Sequence, residues 1–152
     1  MQKIIISDTS CLILLEKIEE IKLLQKLFGE IVVTSVIENE FGNPLPEWIK
    51  VSNANDKNYQ NILESSVDKG EASALALAIE QSDCLLILDD LKARKLAKEL
   101  KLNYTGTLGI LVEAKLSGHI NSMKKVLEKI KKTNYRISPS LEKKILNKSG
   151  EM

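Results

Sequence analysis

Lys3-Ile4-Ile5-Ile6-Ser7-Asp8-Thr9-Ser10 and Cys84-Leu85-Leu86-Ile87-Leu88-Asp89-Asp90 are two short apolar runs, each ending in aspartate. Runs of this length, each followed by a helical pattern, predict buried strands of a parallel sheet. Ligands of such sheets bind outside the carboxyl ends of the strands, which places both aspartates at the functional edge. Carboxylates gathered there repel one another and lose hydration, so a divalent cation or a proton must compensate. The first expectation is a metal site.

Outward from these runs the pattern alternates. The sequence predicts a helix over 11–17, capped by Thr9 or Ser10, and a second amphipathic segment over 21–28 that stops at Gly29. A β-branched strand over 31–34 follows. Ser35-Val36-Ile37-Glu38 has capping-box form, so a helix should begin at Ser35 and end at Gly42-Asn43-Pro44. Then come an extended piece over 48–51, a helix over 56–65, and an alanine-rich helix opened by Asp68-Lys69-Gly70-Glu71 and reaching about 81. Beyond the 85–88 strand lie a helix over 91–100, a strand over 102–105 and helices over 108–116, 120–133 and 138–147. Repeated βα order predicts a three-layer α/β/α sandwich around a central, mostly parallel sheet of four or five strands. The length suits one domain over 1–152, with a core over about 3–140 and a C-terminal helical tail.

Composition narrows the class. With 43% hydrophobic and 28% charged residues the chain reads as an ordinary soluble globular protein. Only 4% of residues are aromatic, which argues against recognition resting on aromatic base-stacking platforms. Cys11 and Cys84 fall in apolar stretches with no CxxC pair or neighbouring histidine, and are expected to be buried thiols rather than a disulfide or zinc site. One lysine and four apolar residues before Asp8 make neither a signal peptide nor a membrane span, so a cytoplasmic location is expected. Residues 1–90 carry 16 acidic and 7 basic side chains, a net of −9, whereas residues 91–148 carry 4 acidic and 15 basic, a net of +11. An acidic half holding a metal and a basic half holding phosphates would suit a nuclease; lysine-rich solvated helices explain the asymmetry equally well.

Helix periodicity sorts the remaining carboxylates. Val36, Ile37 and Phe41 mark an apolar face, and at about 100° per residue Glu40 falls inside that arc while Glu38 falls outside it. Glu40 is therefore expected to point toward the core or the sheet edge, where it needs a counter-charge; a glutamate reaching water or a lysine is the plain alternative. Glu71 fits a capping box with Asp68, yet it also lies at helical spacing from Leu75 and Ala78 and can share their inward face.

Asp8-Thr9-Ser10, Glu40 in a helix, Gly70-Glu71-Ala72, Leu88-Asp89-Asp90-Leu91-Lys92-Ala93-Arg94 and Thr105-Gly106-Thr107-Leu108-Gly109 together resemble the PIN-domain ribonucleases. More narrowly, they resemble a subfamily of small bacterial and archaeal PIN proteins, and the likeness covers residues 3–140. The resemblance implies an acidic quartet, Asp8, Glu40, Glu71 and Asp89, that binds one or two Mg²⁺ or Mn²⁺ ions and cuts RNA, leaving a 5′-phosphate and a 3′-hydroxyl. It makes Asp8, Asp89 and Glu71 metal ligands and leaves open whether Asp89 or Asp90 faces the ion. Many members are toxins restrained by a small antitoxin, and toxin relatives are commonly homodimers. Two departures stand out: glutamate replaces the usual aspartate at 71, and Asp90-Leu91-Lys92-Ala93-Arg94 differs from the commoner toxin pattern.

An all-acid site without histidine or cysteine suits hard cations and disfavours zinc. Thr9 or Ser10 can bond a phosphate or cap a helix. Arg94 and Lys95 are candidates for phosphate contact or for a solvated face, and Thr107 for the active edge. His119 has no partnered nucleophile, Gly106-Thr107-Leu108-Gly109 lacks the lysine of a phosphate loop, and the lysines over 124–132 read as a helix surface. Two alternatives stay open: a receiver-like Mg²⁺-binding signalling domain, and a catalytically silent PIN-like module that binds RNA or protein.

Overall fold

The two apolar runs lie side by side. In the computed structural model, which describes residues 3–151, β1 (Ile4–Ser7) and β4 (Cys84–Ile87) pair in parallel, with Ile4 opposite Cys84 and Ser7 opposite Ile87. β2 (Ile31–Val33) and β3 (Ile49–Val51) extend the sheet beyond β1, and β5 (Asn103–Thr105) extends it beyond β4. The order is β3-β2-β1-β4-β5, with every neighbouring pair parallel. The chain steps outward from β1 to β3, then crosses back to β4 on the other side. Between β1 and β4 the order therefore reverses, and the crevice above that point is where an open α/β sheet binds its ligand.

Nine helices among the described residues flank the sheet: α1 (Thr9–Lys17), α2 (Lys22–Phe28), α3 (Ser35–Phe41), α4 (Lys57–Leu63), α5 (Lys69–Ile79), α6 (Leu91–Glu99), α7 (Thr107–Leu116), α8 (Met123–Lys131) and α9 (Pro139–Lys148). Helices cover both faces, which is why Ile5, Ile6, Leu86 and Ile87 are all buried and the strands read as continuous apolar runs without alternation. The fold is thus the expected α/β sandwich, with all five strands parallel. α5 packs on β1, β4, α3, α4 and α6. Its small buried residues, Ala72, Ser73, Ala74, Ala76 and Ala78, let those neighbours approach closely. α7, α8 and α9 pack on one another, and Ile145 of α9 is buried.

Three caps decide local geometry, and two differ from expectation. Asp8, not Thr9 or Ser10, caps α1: the chain is still extended at Asp8, and its side chain accepts from the Cys11 amide. Helix α3 begins at Ser35 as expected, but its cap is the residue before. Thr34 caps it by accepting from the Ile37 N–H at 3.3 Å, while the amide and hydroxyl of Ser35 both donate to Asn53 Oδ1. The Asp68–Glu71 capping box does form at α5. Both thiols are buried and unpaired, and no described helix is long and apolar enough to cross a membrane.

Candidate active site

Because β1, β4 and β5 are in register, Ser7, Ile87 and Thr105 end level with one another. The residues just beyond them meet above the crevice. Asp8 is only 3% exposed. One carboxyl oxygen accepts the Cys11 N–H at 2.9 Å and the other accepts the Asp89 N–H at 3.0 Å. Burial, and after it the neighbouring charge of Asp89, push this carboxyl up to about 7 against the pull of its two amide donors. The adjacent Cys11 thiol is raised by burial and by Asp8, which keeps it protonated and unreactive.

Asp89 is clamped by Thr107. One oxygen accepts the Thr107 N–H at 2.8 Å and the other its hydroxyl at 2.6 Å. Its carboxylate thereby sits on the N-terminal end of α7, which Gly106 caps without a side chain. An added Cβ at 106 would run into the Arg94 guanidinium and lie 3.1 Å from Asp89 Oδ1, so any side chain there would displace Arg94. Arg94 in turn is held in place. Its Nε–H donates to the Leu88 carbonyl at 2.7 Å, and its guanidinium carbon lies 5.7 Å from the Tyr104 ring centroid, a cation–π contact.

Across the crevice the groups are acidic. Glu40 is exposed and does not face the core. Its helix is short, and Ile37 and Phe41 occupy the buried face. It stands at the sheet edge, where its counterpart is a hydroxyl instead of a counter-charge: Thr9 donates to it at 2.5 Å. The carboxyl also lies close over Gly70, so a Cβ there would push the Glu40 side chain aside. Behind it runs a relay of hydroxyls. Ser73 donates to the Gly70 carbonyl at 2.7 Å, Thr34 lies 2.6 Å from the Ser73 oxygen, and Thr34 accepts from Ile37. This relay locks the start of α5 to the start of α3. Glu71 is half-buried, its carboxyl 3.4 Å from the Asp68 N–H, and burial together with Asp68 and Asp90 raises it to about 7.

Asp89 and Asp90 separate clearly. Asp89 turns to Thr107 and Asp8, whereas Asp90 caps α6 through the Ala93 N–H at 3.0 Å and adds its charge to that felt by Glu71. Ser10 is exposed and lines a separate cleft beside Ile13, Lys17 and Tyr135. Lys95 is exposed and does not line the cleft that Arg94 lines. His119 is exposed at the turn after α7. Asp68, Thr34, Ser73 and Tyr135 join the site without having been expected from the sequence. Asp68 is legible there only as a cap, and Tyr135 has no spacing that ties it to the acids. A receiver-like site would carry a paired acid after the first strand and a lysine after the last, but Thr9 follows Asp8, and Gly106-Thr107 follows β5.

None of Asp8, Glu40, Asp68, Glu71, Asp89 or Asp90 takes part in an ion pair among the described residues. Nor do any three aspartates, glutamates, histidines or cysteines among those residues close on one point. The donors thus offer a carboxylate pair, Asp8 and Asp89, with further acids at the margin, rather than a cage. Each carboxyl oxygen keeps a lone pair beyond the donors named. That arrangement fits Mg²⁺ or Mn²⁺, hard ions that keep several waters and take one or two carboxylates.

No curated protein and no solved structure matches the chain. A family model described as a PIN domain matches residues 4–151, almost the whole length, α9 included. PIN domains are generally nucleases and usually use divalent metals. On that match, and with a five-stranded parallel sheet that brings two aspartates together at its switch point, the chain belongs to the PIN-domain family.

Proposed function

We propose that this protein is a divalent-metal-dependent endoribonuclease that hydrolyses RNA phosphodiester bonds, and that it acts as the toxin of a toxin–antitoxin pair. The observation that carries the reading is Asp8, a nearly inaccessible carboxyl beside a second carboxyl, with no cation among the described residues to pair with either. Such a pair is costly to leave uncompensated.

Asp8 and Asp89 would hold the ion. When bound, Mg²⁺ or Mn²⁺ supplies a more acidic water and stabilises charge on the leaving oxygen. The chain's own residues set the stage. Cys11 and Asp89 amides orient Asp8, Thr107 orients Asp89 with two bonds, and Glu71, Asp90 and Glu40 extend the negative rim. Arg94, fixed by Leu88 and Tyr104, holds a positive charge ready for a phosphate. RNA, a small antitoxin protein and a second copy of the chain are the partners this reading names, with the resemblance to small prokaryotic PIN proteins as support for the toxin role. A reading frame for a small DNA-binding protein beside this one would add to that support.

The test is cleavage of labelled single-stranded RNA with Mg²⁺, Mn²⁺ or EDTA, by wild type and by Asp8→Asn. The expected result is metal-dependent cutting to 5′-phosphate and 3′-hydroxyl ends, lost in Asp8→Asn. Cutting by Asp8→Asn at the wild-type rate overturns the reading. The commitment of Glu71 to its capping box favours a second reading, a catalytically silent RNA- or protein-binding module. RNA left intact under every metal condition would establish that one.

A further inference from the structure

Asp89 lines a cleft of about 350 Å³ between α6, α7 and α9, within the size range of sites that enclose small ligands. Leu108, Val112, Leu141, Ile145 and Tyr135 supply its apolar lining. Arg94, Lys144 and Lys148 line it as well. On α9 the apolar pair Leu141 and Ile145 and the basic pair Lys144 and Lys148 each repeat at i, i+4, so one helix face presents an apolar strip edged with cations. Both lysines are exposed, and neither is in an ion pair or side-chain hydrogen bond among the described residues. We propose that this cleft is a nucleotide subsite, which takes one unpaired base of single-stranded RNA next to the bond to be cut. The proposal rests on the nuclease reading above and gives its substrate a chemical form.

The chemistry matches part by part. A base offers two apolar faces, which the aliphatic side chains can bury, while its flanking phosphates require cations, which Arg94, Lys144 and Lys148 supply. Tyr135 brings a phenol to the cleft. Its hydroxyl has no protein hydrogen-bond partner among the described residues, and so remains a donor for a base edge or a ribose. Only an unstacked base can enter, which selects single strands. The scarcity of aromatics excludes a stacking platform of several rings; it leaves room for one aliphatic slot with a single phenol. An acidic amphipathic peptide would also meet these cations, but it has no phosphodiester to place beside Asp89, which lines the same cleft. Asp89 is where the nuclease reading places the reacting bond.

Binding in EDTA, measured by fluorescence anisotropy, tests the subsite apart from cleavage. The probes are a short labelled single-stranded RNA and a ribose-phosphate chain of equal length without bases, so the phosphates are the same and only base capture differs. Wild type should prefer the RNA by about fivefold or more, the low end of what one base contributes. Val112→Phe, which fills the slot, should bind both chains equally. Should that variant fail to keep the wild-type Tm, Leu141→Ala, at the exposed wall, should cut the preference several-fold. Lys144→Ala with Lys148→Ala should keep the preference and lower the salt slope by about 0.7 per lost phosphate contact. Equal binding of the two chains by wild type overturns the subsite, as does full preference in folded Val112→Phe. Displacement of the RNA by a stoichiometric acidic peptide also overturns it, and gives the cleft to a protein partner. RNA that binds with base preference but is never cut under Mn²⁺ sinks the nuclease reading alone.

Discussion

The two sides of the switch point solve the same electrostatic problem differently. On the β4–β5 side, Asp89 has both oxygens bonded to Thr107 and three cationic side chains within its cleft. On the β1–β2 side, Asp8, Glu40, Asp68 and Glu71 have amides and hydroxyls for partners, and among the described residues no cation pairs with them. Burial first, and neighbouring carboxylates after it, raise Asp8 and Glu71 to about 7. On the proposed reading, the first side would meet a phosphate through Arg94, and a cation held by Asp8 and Asp89 would offset the negative charge on the second.

The largest effect expected is on stability in the absence of metal. Asp8 titrates near 3.8 in the unfolded chain and near 7 in the fold, so the fold favours its neutral form. The stability Asp8 contributes is therefore fully present below about pH 4 and is lost as pH rises toward 7. The loss is up to about 4 kcal/mol, because each tenfold change in proton affinity is worth about 1.4 kcal/mol. Glu71 moves in the same direction. Asp8→Asn should remove most of this slope. Its amide NH₂ must face the Cys11 or Asp89 N–H, at a cost of about 1–3 kcal/mol, so the variant should be less stable than wild type at pH 4.5 and at least as stable at pH 8. Urea melts across pH in EDTA would show the two curves crossing. Parallel curves would mean that Asp8 is not the strained carboxyl.

Millimolar Mg²⁺ or Mn²⁺ should reverse that slope in wild type, because a cation binds the ionised pair and releases its protons. At a concentration 100 times Kd the ion adds about 2.7 kcal/mol. Thermal melts at pH 8 with and without metal measure it, and Asp8→Asn should respond far less. An equal rise in both proteins would move the ion away from Asp8.

Thr107→Val tests the other side. It keeps the amide that Asp89 accepts but removes the 2.6 Å hydroxyl bond. Groups that orient a metal ligand typically cost about 10- to 100-fold in affinity or activity when removed, and that loss is expected here, with Thr107→Ser close to wild type. Unchanged cleavage by Thr107→Val would mean that the amide alone holds Asp89.

How much of this is legible in the sequence follows from what each signal encodes. Continuous apolar runs ending in aspartate encode a doubly covered parallel strand and its carboxyl end, so β1, β4 and the place of Asp8 and Asp89 can be read directly. The Asp68–Glu71 box can also be read, because both its partners are local. The caps at Asp8 and Thr34 are displaced by one residue from expectation. Several neighbouring hydroxyl and carboxyl groups could serve there, and the choice depends on where the strand ends and on Asn53, 18 residues away. Tyr135 and the α9 lysines are beyond reach, since their approach to Asp89 depends on how α7, α8 and α9 pack, and no periodicity within one segment records that. That Asp89 turns to Thr107 while Asp90 caps α6 is equally hidden, because the Thr107 clamp is a contact across 18 residues.

The smallest effect should come from Glu40, and it is the one that most sharply divides the two sides. Glu40 is exposed, and its one protein hydrogen bond among the described residues is the one it accepts from Thr9. Glu40→Gln keeps an acceptor of the same length for that hydroxyl and removes only a solvated charge, so stability should change by less than about 0.5 kcal/mol. If the ion rests on Asp8 and Asp89 alone, cleavage should fall by no more than about tenfold, a difference of about 1.4 kcal/mol. The measurement is kcat/KM on one RNA at saturating Mn²⁺, repeated across metal concentration. A loss as deep as that of Asp8→Asn, without a change in Tm, would mean that Glu40 carries an ion of its own. The acidic side would then be a second metal position, not a margin of the first.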